Sequence, residues 1–187
     1  MLHLRRCGAT SRRGTPLLHP SRQRLLPRPT AVPAERGGAP PPAPLPLQPQ
    51  VLVDSGPLLA LFNAADHWHA PVRQWLQANP GTRLVSTWPV LTEVCALLAR
   101  RIHNQAALDF LRWVQRGAVE IDQPEAGSIA RVLQISERFA SLPFDLADAS
   151  VVEAAARRRI RQVLSVDADF DVYRDKAGKA LVNALRR

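Results

Sequence analysis

Four acidic residues have sequence surroundings unlike those of ordinary surface acids: Asp54, Glu93, Asp148 and Asp167. Asp54 and Asp167 each end a short apolar run of the kind that predicts a buried strand. Glu93 and Asp148 have mainly apolar neighbours at helical spacing, with no lysine or arginine three or four positions away. A carboxylate buried without a cation costs several kcal/mol or takes up a proton. These four acids are therefore candidates for a site that holds a cation.

The chemistry that such acids could perform together depends on the ion that neutralises them. Mg²⁺ and Mn²⁺ accept all-oxygen ligand sets and commonly bridge protein carboxylates to phosphate. Such an ion polarises a phosphodiester, lowers the pKa of water and stabilises charge on the attacking and leaving oxygens. Metal-assisted phosphodiester hydrolysis is the reaction class that a joint site would suit best.

The elements that must position these acids alternate between strands and helices from residue 51 onward. This alternation predicts an α/β fold, a three-layer α/β/α sandwich with a central parallel sheet of four to five strands. Ligand sites in such sheets form beyond the carboxyl ends of the strands, so Asp54 and Asp167 are expected at one edge. The predicted strands span 51–53, 83–86, 118–121 and 162–166, and the predicted helices 57–62, 88–101, 104–116, 125–140 and 145–159.

Each acid also has a plain structural interpretation when it is taken singly. Asp145 is suited to cap the helix that carries Asp148, which would complete the first turn. Asp167 could cap a short turn, and Glu93 could pair with an arginine from another element. Jointly these interpretations are weaker, because the predicted fold gathers strand ends and early helix turns at one place.

Other charged residues are interpreted as solvated surface. Glu153 has Arg157 four positions later and Asp109 has Arg112 three positions later, both at the spacing of helical ion pairs. Glu125 falls in the first turn of a predicted helix, where the helix dipole favours an acid.

Two further groups of residues raise the question of substrate or metal binding. Arg100 and Arg101 are expected at the end of the sheet opposite the acids, as helix C-terminal cations on a solvated surface. His67 and His69 are two positions apart, which is compatible with a transition-metal site, but a surface loop is the favoured interpretation.

The first 50 residues differ in composition from the rest of the chain. They hold eight arginines, one acid and 11 of the 17 prolines, and so carry +7 of the net charge of +9. Proline removes backbone donors and fixes φ, so an extended or disordered segment is expected at 1–50, followed by one globular domain at 51–187. A basic arm for nucleic acid, a targeting peptide and an extension without function remain open, and the last is favoured.

Cysteine content and hydropathy place limits on the compartment. Cys7 and Cys95 cannot form a disulfide framework, and no Cys/His cluster has zinc spacing. No apolar run approaches the length of a membrane span, and no apolar stretch follows the N-terminal arginines as a secretory signal requires. A cytoplasmic protein without membrane contact is expected.

Four segments resemble the motifs of the PIN-domain superfamily, and within it the VapC-type toxins of bacterial toxin–antitoxin pairs. They occur in the order typical of the family and cover about residues 51–175. The segments with Leu-Ala-Asp-Ala-Ser and Val-Asp-Ala-Asp-Phe are the most specific. In order, the four are VLVDSGPLLALF (51–62), LTEV (91–94), DLADASVV (145–152) and VLSVDADF (163–170).

The resemblance implies a Mg²⁺-dependent (or Mn²⁺-dependent) endoribonuclease. By position, Asp54 and Asp148 would be the principal metal ligands. Glu93 and Asp167 would complete the acidic pocket, with Asp145 as an auxiliary. The likeness also implies a homodimer and a cognate antitoxin protein whose C-terminal segment blocks the active-site groove. The residues before 51 depart from the family pattern.

Details of the last motif and an alternative function remain open. Asp169 is a less certain member of the site, because the adjacent Phe170 is expected in the core, and Ser165 stands where the family often has threonine. The alternative is a non-catalytic PIN-like module that binds RNA or a protein. The presence of all four expected acids argues against it.

Overall fold

A computed structural model describes residues 48–175 and 177–186 of the chain. The extension predicted at 1–50 lies outside the described residues, except for its last three positions. The strands are β1 (Gln50–Val53), β2 (Arg83–Thr87), β3 (Glu120–Asp122), β4 (Gln162–Leu164) and β5 (Val182–Asn183). The helices are α1 (Ser55–Leu61), α2 (His69–Ala78), α3 (Trp88–Arg101), α4 (Asn104–Gln115), α5 (Ser128–Arg138) and α6 (Leu146–Arg158), with a 3₁₀ turn at Asp169–Asp171.

The five strands form one sheet in the order β3-β2-β1-β4-β5, and every neighbouring pair is parallel. Because parallel strands are joined by right-handed crossovers, α1 to α4 cover one face and α5 and α6 the other. The predicted three-layer α/β/α sandwich is therefore confirmed. Its core is mainly aliphatic, and the central residues Val51, Leu52 and Val53 of β1 are fully buried.

The strand order reverses at β1: β2 and β3 are added on one side of β1, and β4 and β5 on the other side. From β1 the chain moves outward to β2 and β3, and it then returns through α5 and α6 to β4 on the other flank of β1. Such a reversal leaves a crevice beyond the carboxyl ends of the two central strands. Asp54 lies at the mouth of this crevice, where its backbone N–H donates to the carbonyl oxygen of Leu164 at 3.1 Å.

The turn from β1 into α1 is tight because of Gly56 and Pro57, which follow Asp54. Asp54 is still extended (φ −86°, ψ 172°), and Pro57 then sits in the first turn of the helix, where its missing N–H has no cost. Gly56 lies against Val166, and a Cβ at this position would meet Val166 Cγ2 at 2.4 Å. Only glycine lets α1 approach the loop after β4 this closely.

The structure corrects several predicted boundaries. β3 lies at Glu120–Asp122 rather than 118–121, and β4 ends at Leu164, so Asp167 follows the strand by three residues. α5 begins at Ser128, after Gly127 in a left-handed conformation (φ 85°), and Glu125 therefore precedes the helix instead of occupying its first turn. α2 and β5 have no counterpart among the predicted elements, because one is weakly patterned and the other spans two residues.

The prediction that Glu153 lies on a solvated surface is wrong, although its pairing with Arg157 is confirmed. The Glu153 side chain is 5% exposed, and Oε1 accepts hydrogen bonds from Arg131 at 2.7 Å and from Ser128 at 3.1 Å. Burial by itself would raise the pKa of Glu153, but the arginines hold it below its ordinary value. Asp122 of β3 also pairs with Arg157. Buried ion pairs therefore connect α6 to both β3 and α5.

Asp109 pairs with Arg112 at 2.8 Å on the exposed face of α4, as the sequence predicts. None of the helices within 48–175 and 177–186 combines the length and apolar character that crossing a bilayer requires.

Candidate active site

Asp54 is the most deeply buried of the predicted site residues, at 4% exposure. Its Oδ2 accepts a hydrogen bond from Ser165 Oγ at 2.9 Å, whereas Oδ1 is buried and finds no donor among the described residues. Burial raises the pKa of Asp54 to about 6, with the charges of Glu93 and Asp167 adding to the rise, although the Ser55 N–H and the Ser165 hydroxyl oppose it. One oxygen of this carboxylate is thus held in place and the other lacks a partner.

Ser165 connects the ends of the two central strands. Its hydroxyl donates to Asp54 and accepts from the backbone N–H of Asp167 at 3.0 Å. Its carbonyl oxygen accepts from Asn183 Nδ2 of β5 at 3.0 Å, and the next carbonyl, of Val166, accepts from Arg186 Nη2 at 3.0 Å. The loop that carries Asp167 is therefore fixed from both sides. Nothing in the local sequence marks Asn183 or Arg186 for this role.

Asp148 lies in the first turn of α6, and Asp145 caps that helix. Asp145 Oδ1 accepts from the N–H groups of Ala147 at 2.6 Å and of Asp148 at 3.1 Å, which confirms the capping interpretation. Burial raises the pKa of Asp148 to about 8, and the charges of Asp54, Asp145, Asp167 and Asp169 contribute in that order. Asp148 is thus an acid whose ionisation four neighbouring carboxylates oppose.

Asp148, Asp167 and Asp169 each offer a carboxylate oxygen within 4.8 Å of the others. The backbone N–H of Asp169 donates to Asp167 Oδ1 at 2.9 Å, so the two acids share one turn. Burial and the charge of Asp167 raise the pKa of Asp169. Phe170 is fully buried as expected, yet this does not remove Asp169 from the cluster. The Asp-x-Asp spacing in a turn after a strand is the signal that could have identified it.

Glu93 lies one turn into α3 and is partly buried. Its charge contributes to the raised pKa of Asp54, so the two carboxylates repel each other. No hydrogen bond or ion pair joins its carboxylate to another residue of the described ranges, so the predicted alternative of an arginine partner is not realised there.

The ion pairs of the described residues separate two populations of acids. Arginines pair with seven acids that lie elsewhere in the fold: Asp109, Glu120, Asp122, Glu125, Glu153, Asp171 and Asp175. Within the same part of the chain, none pairs with the six acids around the crevice: Asp54, Glu93, Asp145, Asp148, Asp167 and Asp169. We call these six residues the acidic cluster.

The acidic cluster fits a divalent cation. Carboxylate oxygens are the hard donors that Mg²⁺ and Mn²⁺ prefer, and a cation would give the unpartnered Asp54 Oδ1 the partner that it lacks. The raised pKa values of Asp54 and Asp148 show the electrostatic strain that the cluster carries by itself.

A parallel sheet with this strand order and an acidic cluster at its central strand ends defines a class of metal-dependent nuclease fold. The family model described as the PIN domain matches residues 51–176, and the chain belongs to this family.

Within the family, the chain is similar to Ribonuclease VapC26 of Mycobacterium tuberculosis, with 32% identity over 117 residues that cover 63% of this chain and 86% of the relative. The fold also matches the crystal structure of M. tuberculosis VapC20, described as a sarcin-ricin loop cleaving toxin. That match has a TM-score of 0.62 and 23% identity, and it covers 71% of this chain and 98% of VapC20.

Proposed function

We propose that the protein is a metal-dependent endoribonuclease that hydrolyses RNA phosphodiester bonds, as the toxin of a toxin–antitoxin pair. The observation that carries this proposal is the acidic cluster, six carboxylates at the switch point of a PIN fold with no arginine partner among the described residues. The similarity to a named VapC ribonuclease across most of that relative's length supports RNA as the substrate.

The roles of the acids follow from burial and hydrogen bonding. Asp54 and Asp148 are proposed as the principal ligands, since Asp54 Oδ1 is unpartnered and the Asp148 carboxylate lies with those of two other cluster members. Glu93 of α3 and Asp167 of the loop after β4 complete the proposed metal site. Asp145 is proposed as an auxiliary only, because its Oδ1 is already committed to capping α6.

Asp169 joins these residues because its carboxylate lies with those of Asp148 and Asp167. When bound, a divalent cation supplies Lewis acidity for attack of water on the phosphodiester. The protein's own contribution is to hold the carboxylates in fixed positions, through the Ser165 hydroxyl and the Asp145 cap. Mg²⁺ is proposed as the physiological ion and Mn²⁺ as a substitute.

The partners are proposed on the same basis. A cognate antitoxin protein would bind over the crevice and block it, and the toxin would be a homodimer in the cytoplasm. Exposed apolar side chains on α4 and α5 offer surface for such assembly, with Leu111 40% and Ile129 78% exposed.

The activity is tested with the purified full chain, Mg²⁺ or Mn²⁺, and single-stranded and structured RNAs. Cleavage is expected with metal, loss of cleavage with a chelator, and a fall of about a hundredfold or more in Asp148→Asn. Asp109→Asn is the matched control, because this exposed acid is paired with Arg112 and lies outside the acidic cluster. Cleavage that survives both the chelator and Asp148→Asn would refute the proposal.

The alternative, a non-catalytic module for RNA or protein binding, is not favoured. Such a module gains nothing from a cluster of carboxylates whose mutual repulsion destabilises the fold. RNA binding without metal-dependent cleavage in the same experiment would support it instead.

A further inference from the structure

A cavity of about 300 Å³ lies between α1 and α3, next to the acidic cluster. Two of its lining residues adjoin cluster members in the chain, since Gly56 follows Asp54 by two positions and Val166 directly precedes Asp167. One end of the cavity therefore lies beside the loops that carry Asp54 and Asp167, and its size is at the lower end of the range for small-molecule pockets.

The cavity is lined mainly by apolar side chains, among them Leu59, Leu97 and Val166. The rings of His67 and Trp68 also line it, with their centroids 5.0 Å apart and their planes tilted by 49°. We call the lining residues that follow α1 the rim of the cavity: Asn63, Asp66, His67 and Trp68. An apolar group that enters the cavity removes its own surface and that of the lining from water.

Two polar side chains of the rim keep hydrogen-bonding capacity. Asn63 Oδ1 accepts from the N–H of Ala65 at 3.2 Å, and Asp66 Oδ1 accepts from the N–H of Trp68 at 2.8 Å. These bonds fix both side chains. In the described part of the chain no residue hydrogen-bonds to Asn63 Nδ2 or to Asp66 Oδ2. The rim thus presents a donor and an acceptor beside an apolar cavity.

One face of α3 links the cavity to the acidic cluster. Glu93, Leu97 and Arg101 recur at a spacing of four, so they lie along one side of the helix, and about 12 Å separates the first from the last along the axis. Arg101, predicted to lie far from the acids, lines the same cavity as Gly56 and Val166. It is exposed and forms no ion pair within the described ranges, so its charge is available to a phosphate.

We infer that this cavity binds one unpaired nucleobase of the RNA next to the scissile phosphate, and thereby sets base preference; the inference rests on the proposed function. A nucleobase combines apolar faces with a polar edge of donors and acceptors, which matches the apolar walls and the Asn63–Asp66 rim. Arg101, which also lines the cavity, binds a neighbouring phosphate of the RNA. The acidic cluster binds the scissile phosphate through its cation.

The test uses the full chain with Mn²⁺ and a single-stranded RNA pool with randomised positions, and sequences the product ends to obtain the base preference at each flanking position. Leu97→Phe fills the cavity, and Asn63→Ala removes the free donor. Both variants are expected to reduce the preference at one flanking position, and cleavage of the preferred RNA, by about tenfold or more. Arg100→Ala is the control for the substitution on α3, because this exposed residue of the same helix does not line the cavity.

An abasic nucleotide at the preferred position provides a second measurement. It is expected to slow cleavage by the unaltered protein about tenfold and to have a smaller effect in Asn63→Ala, where the donor is already missing. This comparison stands even where Leu97→Phe does not fold. Cleavage with the same base preference in Asn63→Ala as in the unaltered protein would overturn the inference and leave the ribonuclease intact. The inference would also be overturned if the variants lost only their inhibition by the antitoxin, because the cavity would then bind a protein segment and not a nucleobase. No Mn²⁺-dependent cleavage at all would refute the proposed function itself.

Discussion

The Asp148 carboxyl makes the stability of the metal-free protein depend on pH. Burial and four neighbouring acids raise its pKa to about 8 in the folded state, whereas an unfolded aspartate has a value near 3.8. The folded state therefore holds a proton that the unfolded state has released between these values. The stabilisation of the folded state that this proton binding provides is complete below about pH 4 and is lost as the pH rises through about 8.

We predict that, in chelator, the melting temperature of the unaltered protein falls relative to that of Asp148→Asn between pH 5.5 and 8.5. The expected change is about 2–4 °C, equivalent to about 1 kcal/mol after allowance for solvent screening of a partly exposed group. Asp109→Asn is the control, because the pKa of this exposed acid is lowered and it stays ionised over this range. Parallel curves for the unaltered protein and Asp148→Asn would contradict the prediction.

Individual residues differ in how far the sequence predicts their place in the site. Asp54 and Glu93 were identifiable because one ends an apolar strand and the other lacks a cation at helical spacing. The contacts of Asp169 and Asn183 were not, since they depend on the path of a loop and on a strand of two residues. Periodicity gives no information about either.

At the scale of elements, β5 acts on the site through Asn183. This residue is 7% exposed, donates to the carbonyl of Ser165, and accepts from the N–H of Leu185 at 3.1 Å. We predict that Asn183→Ala destabilises the protein by about 1–3 kcal/mol, because it leaves buried polar groups without partners. It should also weaken Mn²⁺ binding by about tenfold, since Ser165 positions Asp54.

Calorimetric titration measures the Mn²⁺ affinity of Asn183→Ala, and thermal unfolding measures its stability. Asn79→Ala is the matched control, because Asn79 Nδ2 also donates to a backbone carbonyl, that of Trp75 at 2.8 Å, but at the end of α2. It should cost stability without changing Mn²⁺ affinity. Equal Mn²⁺ affinity in Asn183→Ala and the unaltered protein would show that β5 has no positioning role.

The elements themselves were mostly predictable, and the exceptions have physical causes. Strong apolar periodicity identified α3 and α4 to within a residue. Gly127 was overlooked as the residue that precedes α5, because its left-handed φ is a property of the folded turn. Glu153 was assigned to solvent because its contact with Arg131 of the preceding helix, α5, cannot be inferred from local spacing.

At the scale of the whole molecule, the separation of paired from unpaired acids predicts coupling between metal binding and folding. A cation that binds only the folded state stabilises it by about 2.7 kcal/mol at a hundred times its dissociation constant. For a protein of 187 residues this corresponds to a rise of about 5–11 °C in melting temperature.

We predict this rise for Mn²⁺ at pH 8, and a smaller one at pH 6, where protons compete at Asp54 and Asp148. Melting curves of the full chain with and without Mn²⁺ measure it. The double variant Asp54→Asn, Asp148→Asn should not respond. A metal-induced rise that persists in the double variant would place the cation elsewhere.

The hydrogen bond from Ser165 to Asp54 joins residues 111 positions apart, across two strands that meet only after the chain has travelled out and back. On the ribosome, Asp54 emerges long before β4, and until then β1 lacks the neighbour that aligns this carboxylate. The Asp54 carboxylate therefore reaches the position that it has in the folded protein only after synthesis has passed Ser165 and β4 has joined the sheet. Any activity that depends on this carboxylate begins at that point, and the earlier nascent chain lacks it.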